Sequence, residues 1–284
     1  MPAFKDITVV AIHGNSGIHT MLPSLERTAS ALPGCKKLLI TNEYIQTDIP
    51  QALIHQTLSY ETYSHFVIYC LHNYIHTDYA LIVQDDGWVL NADNWRDEWF
   101  NYDYVGGLTH AALDGKDLYW QYSWVNNPNA RDLKVVQNGG FSLRSKFLLE
   151  APSKYGITMV PQQMAELNNE DIQLCCIMRE SLENIGIRFA TWEEAMLFSV
   201  EHLSPEIHKD LDLSKLFGHH SRFRRLTGYK DVSLRYTDEQ IAQIRNVTTS
   251  EISLYIQPIF IVSYFSNNFF NCAVVQYPLE IRNF

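Results

Sequence analysis

Two acidic positions far apart in the chain carry the side chains best suited to chemistry. The apolar run at 79–83 (YALIV) passes directly into Gln84-Asp85-Asp86-Gly87. A strand that is apolar throughout is covered on both faces, and ligands of open α/β sheets bind at the carboxyl ends of such strands. Asp85 and Asp86 therefore fall where a working site is expected. The second position is Glu170-Asp171, at the start of NEDIQLCCIMRESLENIG (169–186), which reads as a helix. Acidic residues in a first helical turn are stabilised by the helix dipole, so capping is the plain alternative there. His219-His220 follows Phe217-Gly218, which reads as a turn. Imidazole added to an oxygen-rich site suits Mn²⁺ better than Mg²⁺. The basic run Arg222, Arg224, Arg225 either holds phosphate oxygens or forms a solvated patch.

Transfer of a sugar from a nucleoside diphosphate needs groups of this kind. The leaving diphosphate must be neutralised, and an acceptor hydroxyl must lose its proton in an inverting displacement. A divalent ion on Asp86, with imidazole from His219-His220, would do the first, and Asp171 or Glu170 the second.

Alternating strand-like and helix-like stretches must position these groups. Residues 7–12 (ITVVAI) read as a strand that ends in the turn-rich HGNSG of 13–17. An amphipathic helix with Leu22, Leu25, Ala29 and Leu32 follows, broken by Pro33-Gly34. KLLIT at 37–41 is a second buried strand, and 58–77 have helical spacing. NGGFSLRSKFLLE (138–150) reads as a glycine-rich turn, a short strand and a helix start, its paired glycines allowing positive φ or a close approach to a ligand. Between 88 and 124 the sequence is dense in Trp, Tyr and Phe. Most of these are expected to pack, with one or two at a cleft rim free to stack on a ligand.

Composition narrows the classes. The chain has 284 residues, 46% of them apolar, enough for a true core. With 22 Lys+Arg against 32 Asp+Glu the net charge is -10, which argues against a groove for nucleic acid. Cysteines at 35, 70, 175, 176 and 272 form no CxxC pair, and their odd number leaves one unpaired, as in a reducing compartment. The amino terminus has neither a charged start followed by an apolar core nor a cleavage site of small residues. A cytoplasmic protein is expected. His72 and His76 have the spacing of two ligands on one helix but lack the glutamate of HExxH. No charged residue lies between Glu251 and Glu280, yet polar interruptions argue against a spanning helix. Strands packed on the domain, or a peripheral membrane contact, suit this tail.

The order of the motifs resembles a poorly characterised domain family of GT-A-like glycosyltransferases found in bacterial, fungal and viral proteins. The likeness spans about residues 5–222 and rests on YALIVQDDGWVLNADNW (79–95), FNYDYVGG (100–107), QNGGFSLRSKFLL (137–149), NNEDIQLC (168–175), GIRFATWEEAMLFSVE (186–201) and FGHH (217–220). It implies a Rossmann-like α/β fold with a mixed, mostly parallel sheet flanked by helices, spanning 1–235, and an extension of unknown role over 236–284. It implies a nucleotide-sugar donor beside the first strand, touched by His13, Asn15, Asp85 and Arg222, its sugar lined by Asn138, Gly139 and Gly140. Asp86 and His220 would hold Mn²⁺ or Mg²⁺, and Asp171, beside Glu170, would be the base. A glycan or lipid-linked molecule would be the acceptor, in the making of polysaccharides. Gln84 stands where the family's metal motif usually begins with Asp, which lowers the charge offered to an ion and leaves metal-independent transfer open. A non-catalytic sugar- or nucleotide-binding protein and a metal-dependent phosphodiesterase or other hydrolase are the alternatives.

Overall fold

The apolar runs become the strands of one large sheet. The structure, a computed structural model, describes residues 4–14, 21–114, 117–119, 132–201 and 211–220. β1 (Ile7–His13), buried at every position, pairs in parallel with β2 (Lys36–Thr41), which in turn pairs with the short β3 (Gln51–Leu53). On its other side β1 pairs in parallel with β4 (Tyr79–Val83). β5 (Gly87–Val89), β6 (Tyr104–Asp114), β7 (Asp117–Tyr119) and β8 (Lys134–Ser145) follow, and the sheet runs β3-β2-β1-β4-β8-β6-β7. Only β8 and β7 oppose the other five strands. This is the mixed, mostly parallel architecture expected. A second sheet joins β5 to β10 (Gly218–His220) and β10 to β9 (Ser199–Val200).

Side chains of successive strand residues point to opposite faces, and each face of this sheet is covered. Ile7, Val9 and Ala11 pack with Leu39 and Leu81 beneath Leu25 and Ala29 of α1 (Met21–Ala31). Val10, Ile12 and Ile82 pack on the other face against Phe66 and Val67 of α2 (Tyr60–Tyr69) and Leu149 of α3 (Lys146–Tyr155). Ser59 starts α2 with a capping box, and Ser145 starts α3 by accepting from the Leu148 amide. The aromatic run is largely core in its described part. Trp99 meets Phe198 and Phe217 edge-on or tilted at ring distances of 4.9 and 5.3 Å. Trp120, Tyr122 and Trp124 lie outside the described residues.

Several local expectations need correction. The helix expected over 58–77 stops at Tyr69 and gives way to a 3₁₀ turn at Leu71–Asn73, so His72 and His76 do not share a helix. Asn138-Gly139-Gly140 is no turn but lies within β8, and neither glycine has positive φ. Gly218 likewise opens a strand rather than a turn. The helix at 169–186 is divided into α4 (Glu170–Ile172), a π-helical turn (Gln173–Ile177) and α5 (Arg179–Asn184). α6 (Trp192–Phe198), capped by Thr191, leads into β9. No described helix is long and apolar enough to cross a membrane. The boundary expected at 235 and the tail over 236–284 lie outside the described residues.

Candidate active site

β4 delivers Gln84, Asp85 and Asp86 to the carboxyl edge of the sheet, and β8 holds them there. The Gln84 amide donates to the Gly140 carbonyl at 2.8 Å, and the Gly87 amide closes the turn on Gln84 at 3.1 Å. β10 then lies antiparallel to β5 with His220 opposite Gly87. That register brings His220 Nε2 within 3.1 Å of Asp86 Oδ1 and 3.3 Å of Gln84 Oε1. The Gln84 amide is oriented from behind, its Nε2 donating to the Tyr63 hydroxyl at 3.2 Å. Gly140 makes this convergence sterically feasible. A Cβ there would collide with His220 Nε2 and come within 2.6 Å of Gln84 Oε1.

The preceding glycine does the same for the second acidic position. A Cβ on Gly139 would collide with Glu170 Oε1 and lie 2.9 Å from the Arg144 guanidinium. Its amide donates to Asp171 Oδ2 at 3.2 Å, while Asp171 Oδ1 accepts from the Ile172 amide at 2.8 Å. Arg144 is wholly buried and pairs with Glu170 Oε1 at 3.0 Å. It also reaches the Tyr104 hydroxyl at 3.2 Å and Ser142 Oγ at 3.1 Å, with its guanidinium 4.8 Å above the Tyr104 ring. Glu170 is thereby committed to a buried cation. Of the adjacent carboxylates, Asp171 is the one held by backbone amides.

Asn138 ties these pieces together. Its Oδ1 accepts from the Gly140 and Phe141 amides at 2.7 and 3.1 Å, and its Nδ2 donates to Glu201 Oε2 at 3.1 Å. Glu201 stands just beyond β9.

The result is one cavity of about 430 Å³. Asp85, Asp86, Asn138, Gly140, Glu170, Asp171 and His220 all line it, together with Gln84, Tyr60, Tyr63, Glu166, Asn169 and Glu201. Residues far apart in the sequence are thus brought to one place. Gly139 sits behind this wall. His13 ends β1, buried, and is not in the lining. Asn15 and Arg222 lie outside the described residues. His219 points away from the cavity, wholly buried with its ring 5.2 Å from that of Trp88. Burial, then the neighbouring His220, lowers it to about 3, which keeps it neutral.

Burial first, then Glu170 and Glu201, push the Asp171 carboxyl up to about 7, against the opposing pull of the Ile172 amide and Arg144. A carboxylate poised there exchanges protons near neutrality.

The metal question turns on the donor atoms. Among the described residues no three His, Cys, Asp or Glu side chains converge as ligands. Asp86, His220 and the Gln84 carbonyl oxygen do converge, a set of two oxygens and one nitrogen. Such a set fits a divalent ion that takes its other ligands from phosphate oxygens and water.

Residues 48–220 match the profile of a family described as protein of unknown function (DUF5672). The chain belongs to this family. The matched segment of the DUF5672 chain runs from just before β3 to His220 and contains every described wall of the cavity. No curated protein matches the chain significantly. Forty-one chains of solved structures do. One is the crystal structure of the galactosyltransferase LgtC in complex with donor and acceptor sugar analogs. It is similar at 12% identity and a TM-score of 0.43, over 86% of this chain and 96% of that one.

Sequence reasoning assigned no role to Arg144, Glu201 or Tyr60. Arg144 carried a readable signal. An arginine in a strand flanked by apolar residues is buried only with a carboxylate partner, although the sequence does not say which carboxylate. Glu201 and Tyr60 are single residues whose place depends on chain crossings that local pattern does not encode.

Proposed function

We propose that the chain is a glycosyltransferase that moves a sugar from a nucleotide-sugar donor to a hydroxyl of a glycan or lipid-linked acceptor, with inversion. One observation carries this reading: a single cavity places Asp171, poised near neutrality, and the Asp86–His220–Gln84 group on either side of the Gly139–Gly140 backbone. Base and diphosphate-binding group are the two requirements of the displacement.

In this reading Asp171 accepts the acceptor's hydroxyl proton. The freed oxygen bonds to the anomeric carbon as the bond from that carbon to the diphosphate oxygen breaks. Amides of Gly139 and Ile172 fix the carboxylate, and Glu170, neutralised by Arg144, shapes the wall behind it. Asp86, His220 and Gln84 would hold Mn²⁺ or Mg²⁺, which when bound offsets the charge developing on the leaving diphosphate. The carboxylate-rich lining makes such a counter-charge valuable, since a bare diphosphate would be repelled. Asp85 and Asn138 line the donor side, and His13, Asn15 and Arg222 are assigned to the nucleotide. A hydrolase that uses the Asp85-Asp86 pair with both histidines is disfavoured, because His219 faces Trp88 rather than the cavity.

The test is a thermal-shift screen of the full chain against UDP-, GDP-, dTDP- and CMP-sugars, each with Mn²⁺ and with EDTA. Ligand binding to the native state raises the melting temperature by mass action. The expected result is a shift with one nucleotide class that requires Mn²⁺. A shift unchanged in EDTA removes the ion and keeps the transferase, and no shift with any donor removes the reading.

A further inference from the structure

The cavity has a wall for which the proposed chemistry gives no use. Tyr60, the first residue of α2, is 72% exposed although it lines the cavity. Its ring is not loose, because Asn169 Nδ2 donates to its hydroxyl at 2.9 Å. Asn169 itself lines the cavity. A fixed, exposed aromatic face in a cavity lined by polar side chains is suited to one kind of ligand, because such a face takes the C–H side of a pyranose.

Position and charge define which sugar. Asn169 precedes Glu170 and Asp171, and those two carboxylates act on the Tyr60 hydroxyl, Asp171 more strongly, so the aromatic face belongs to the side of the base. Glu166, Glu201 and Asp85 add further negative charge to the lining. Among the described residues, the cation buried next to this lining, Arg144, is paired with Glu170 behind the wall.

We infer that Tyr60, held in place by Asn169, forms the stacking wall of the acceptor subsite and that the acceptor residue is an uncharged sugar, with uronic acids and other anionic sugars rejected by the surrounding carboxylates. This rests on the transferase reading and names its acceptor class. The sugar stacks on Tyr60 and turns a hydroxyl towards Asp171.

The experiment is saturation-transfer NMR on the full chain with methyl glucoside, methyl galactoside, methyl mannoside, N-acetylglucosamine and glucuronate, repeated with saturating UDP-sugar or whichever donor the thermal screen selects. At least one uncharged sugar should receive saturation at its C–H protons, with glucuronate receiving little. Tyr60→Ala should weaken binding about tenfold, the scale of one aromatic contact. Tyr60→Phe keeps the ring and should stay within about threefold. Because Tyr60 is exposed, neither variant should lower the melting temperature, which is checked alongside. Equal binding of glucuronate, indifference to Tyr60→Ala, or no binding of any sugar overturns the inference. Displacement of the sugar by the donor also overturns it, since the subsite would then be the donor's. A donor shift that survives these failures leaves the transferase reading standing, whereas loss of both donor and sugar binding removes the two together.

Discussion

Asp171→Asn tests the proposed base through the stability of the fold as well as through turnover. In the folded chain the Asp171 carboxyl is raised from 3.8 to about 7 by burial and by Glu170 and Glu201. Its folded value therefore lies above its unfolded one. Between about pH 4 and pH 7 the unfolded chain has released this proton and the folded chain has not. Stability from this group is fully present below about pH 4 and is lost as the pH rises through 7, at about 1.4 kcal/mol per unit. The whole loss is about 4 kcal/mol. Asparagine does not ionise and escapes it. The substitution has a fixed cost of its own, because the Gly139 and Ile172 amides both donate to the carboxylate and an amide oxygen replaces only one acceptor. A buried donor left unsatisfied costs about 1–3 kcal/mol at every pH. The variant should thus be the less stable protein at pH 4–5 and the more stable at pH 7–8. Urea unfolding of both chains at pH 5, 6, 7 and 8 measures this, with a relative change of about 3 kcal/mol between pH 5 and pH 7. The transfer rate of the parent should rise over the same interval as the base ionises, and that of the variant should be absent throughout, with donor affinity within a few-fold. Parallel stability curves would refute the raised carboxyl, and near-normal transfer by the variant would refute the base.

Other perturbations address the remaining walls. Asp86→Ala should lower donor affinity in Mn²⁺ by about tenfold or more, towards the value in EDTA, by calorimetry; equal affinities with metal, with chelator and in the variant would dismiss the metal bridge. Gly140→Ala should displace His220 and Gln84 and remove the Mn²⁺-dependent part of donor binding, while the Asp171-dependent pH profile of stability persists. Glu170→Leu leaves Arg144 charged, buried and unpaired, and should cost about 3–5 kcal/mol in urea unfolding. Adding Arg144→Met to that variant should recover part of the loss, and no recovery would mean that the pair is not the cause.

Periodicity and burial made the sheet legible, and proximity across the chain was hidden. β1, β2 and β4 follow from β-branched apolar runs, and the acidic turn after β4 from the rule that such ends carry ligands. Asp86, Asp171 and His220 share a cavity as the motifs implied. The glycine pair was misjudged because glycine in a sequence signals a turn, whereas here each Cβ is missing to make room for side chains arriving from the turn after β4, from α4 and from β10. The helix at 169–186 has helical spacing, but its π-helical turn has no counterpart in local propensity. His219 and His220 are adjacent and look equivalent, yet strand alternation sends one into the core and the other into the cavity.

The limits of the family match do not coincide with a unit that can fold. Its first residue is 48, while β1 and β2 precede that point and stand between β3 and β4 in the sheet. A fragment trimmed to 48–220 would strip β3 of its one neighbour among the described strands and leave the β1 side of β4 with unpaired amides and carbonyls, in the strand that leads into Gln84 and Asp86. Such an edge recruits other chains. Expression of the matched segment alone should therefore yield aggregate rather than a minimal folded unit, and shortened versions of this protein need to begin before Phe4, which packs in the core with β1.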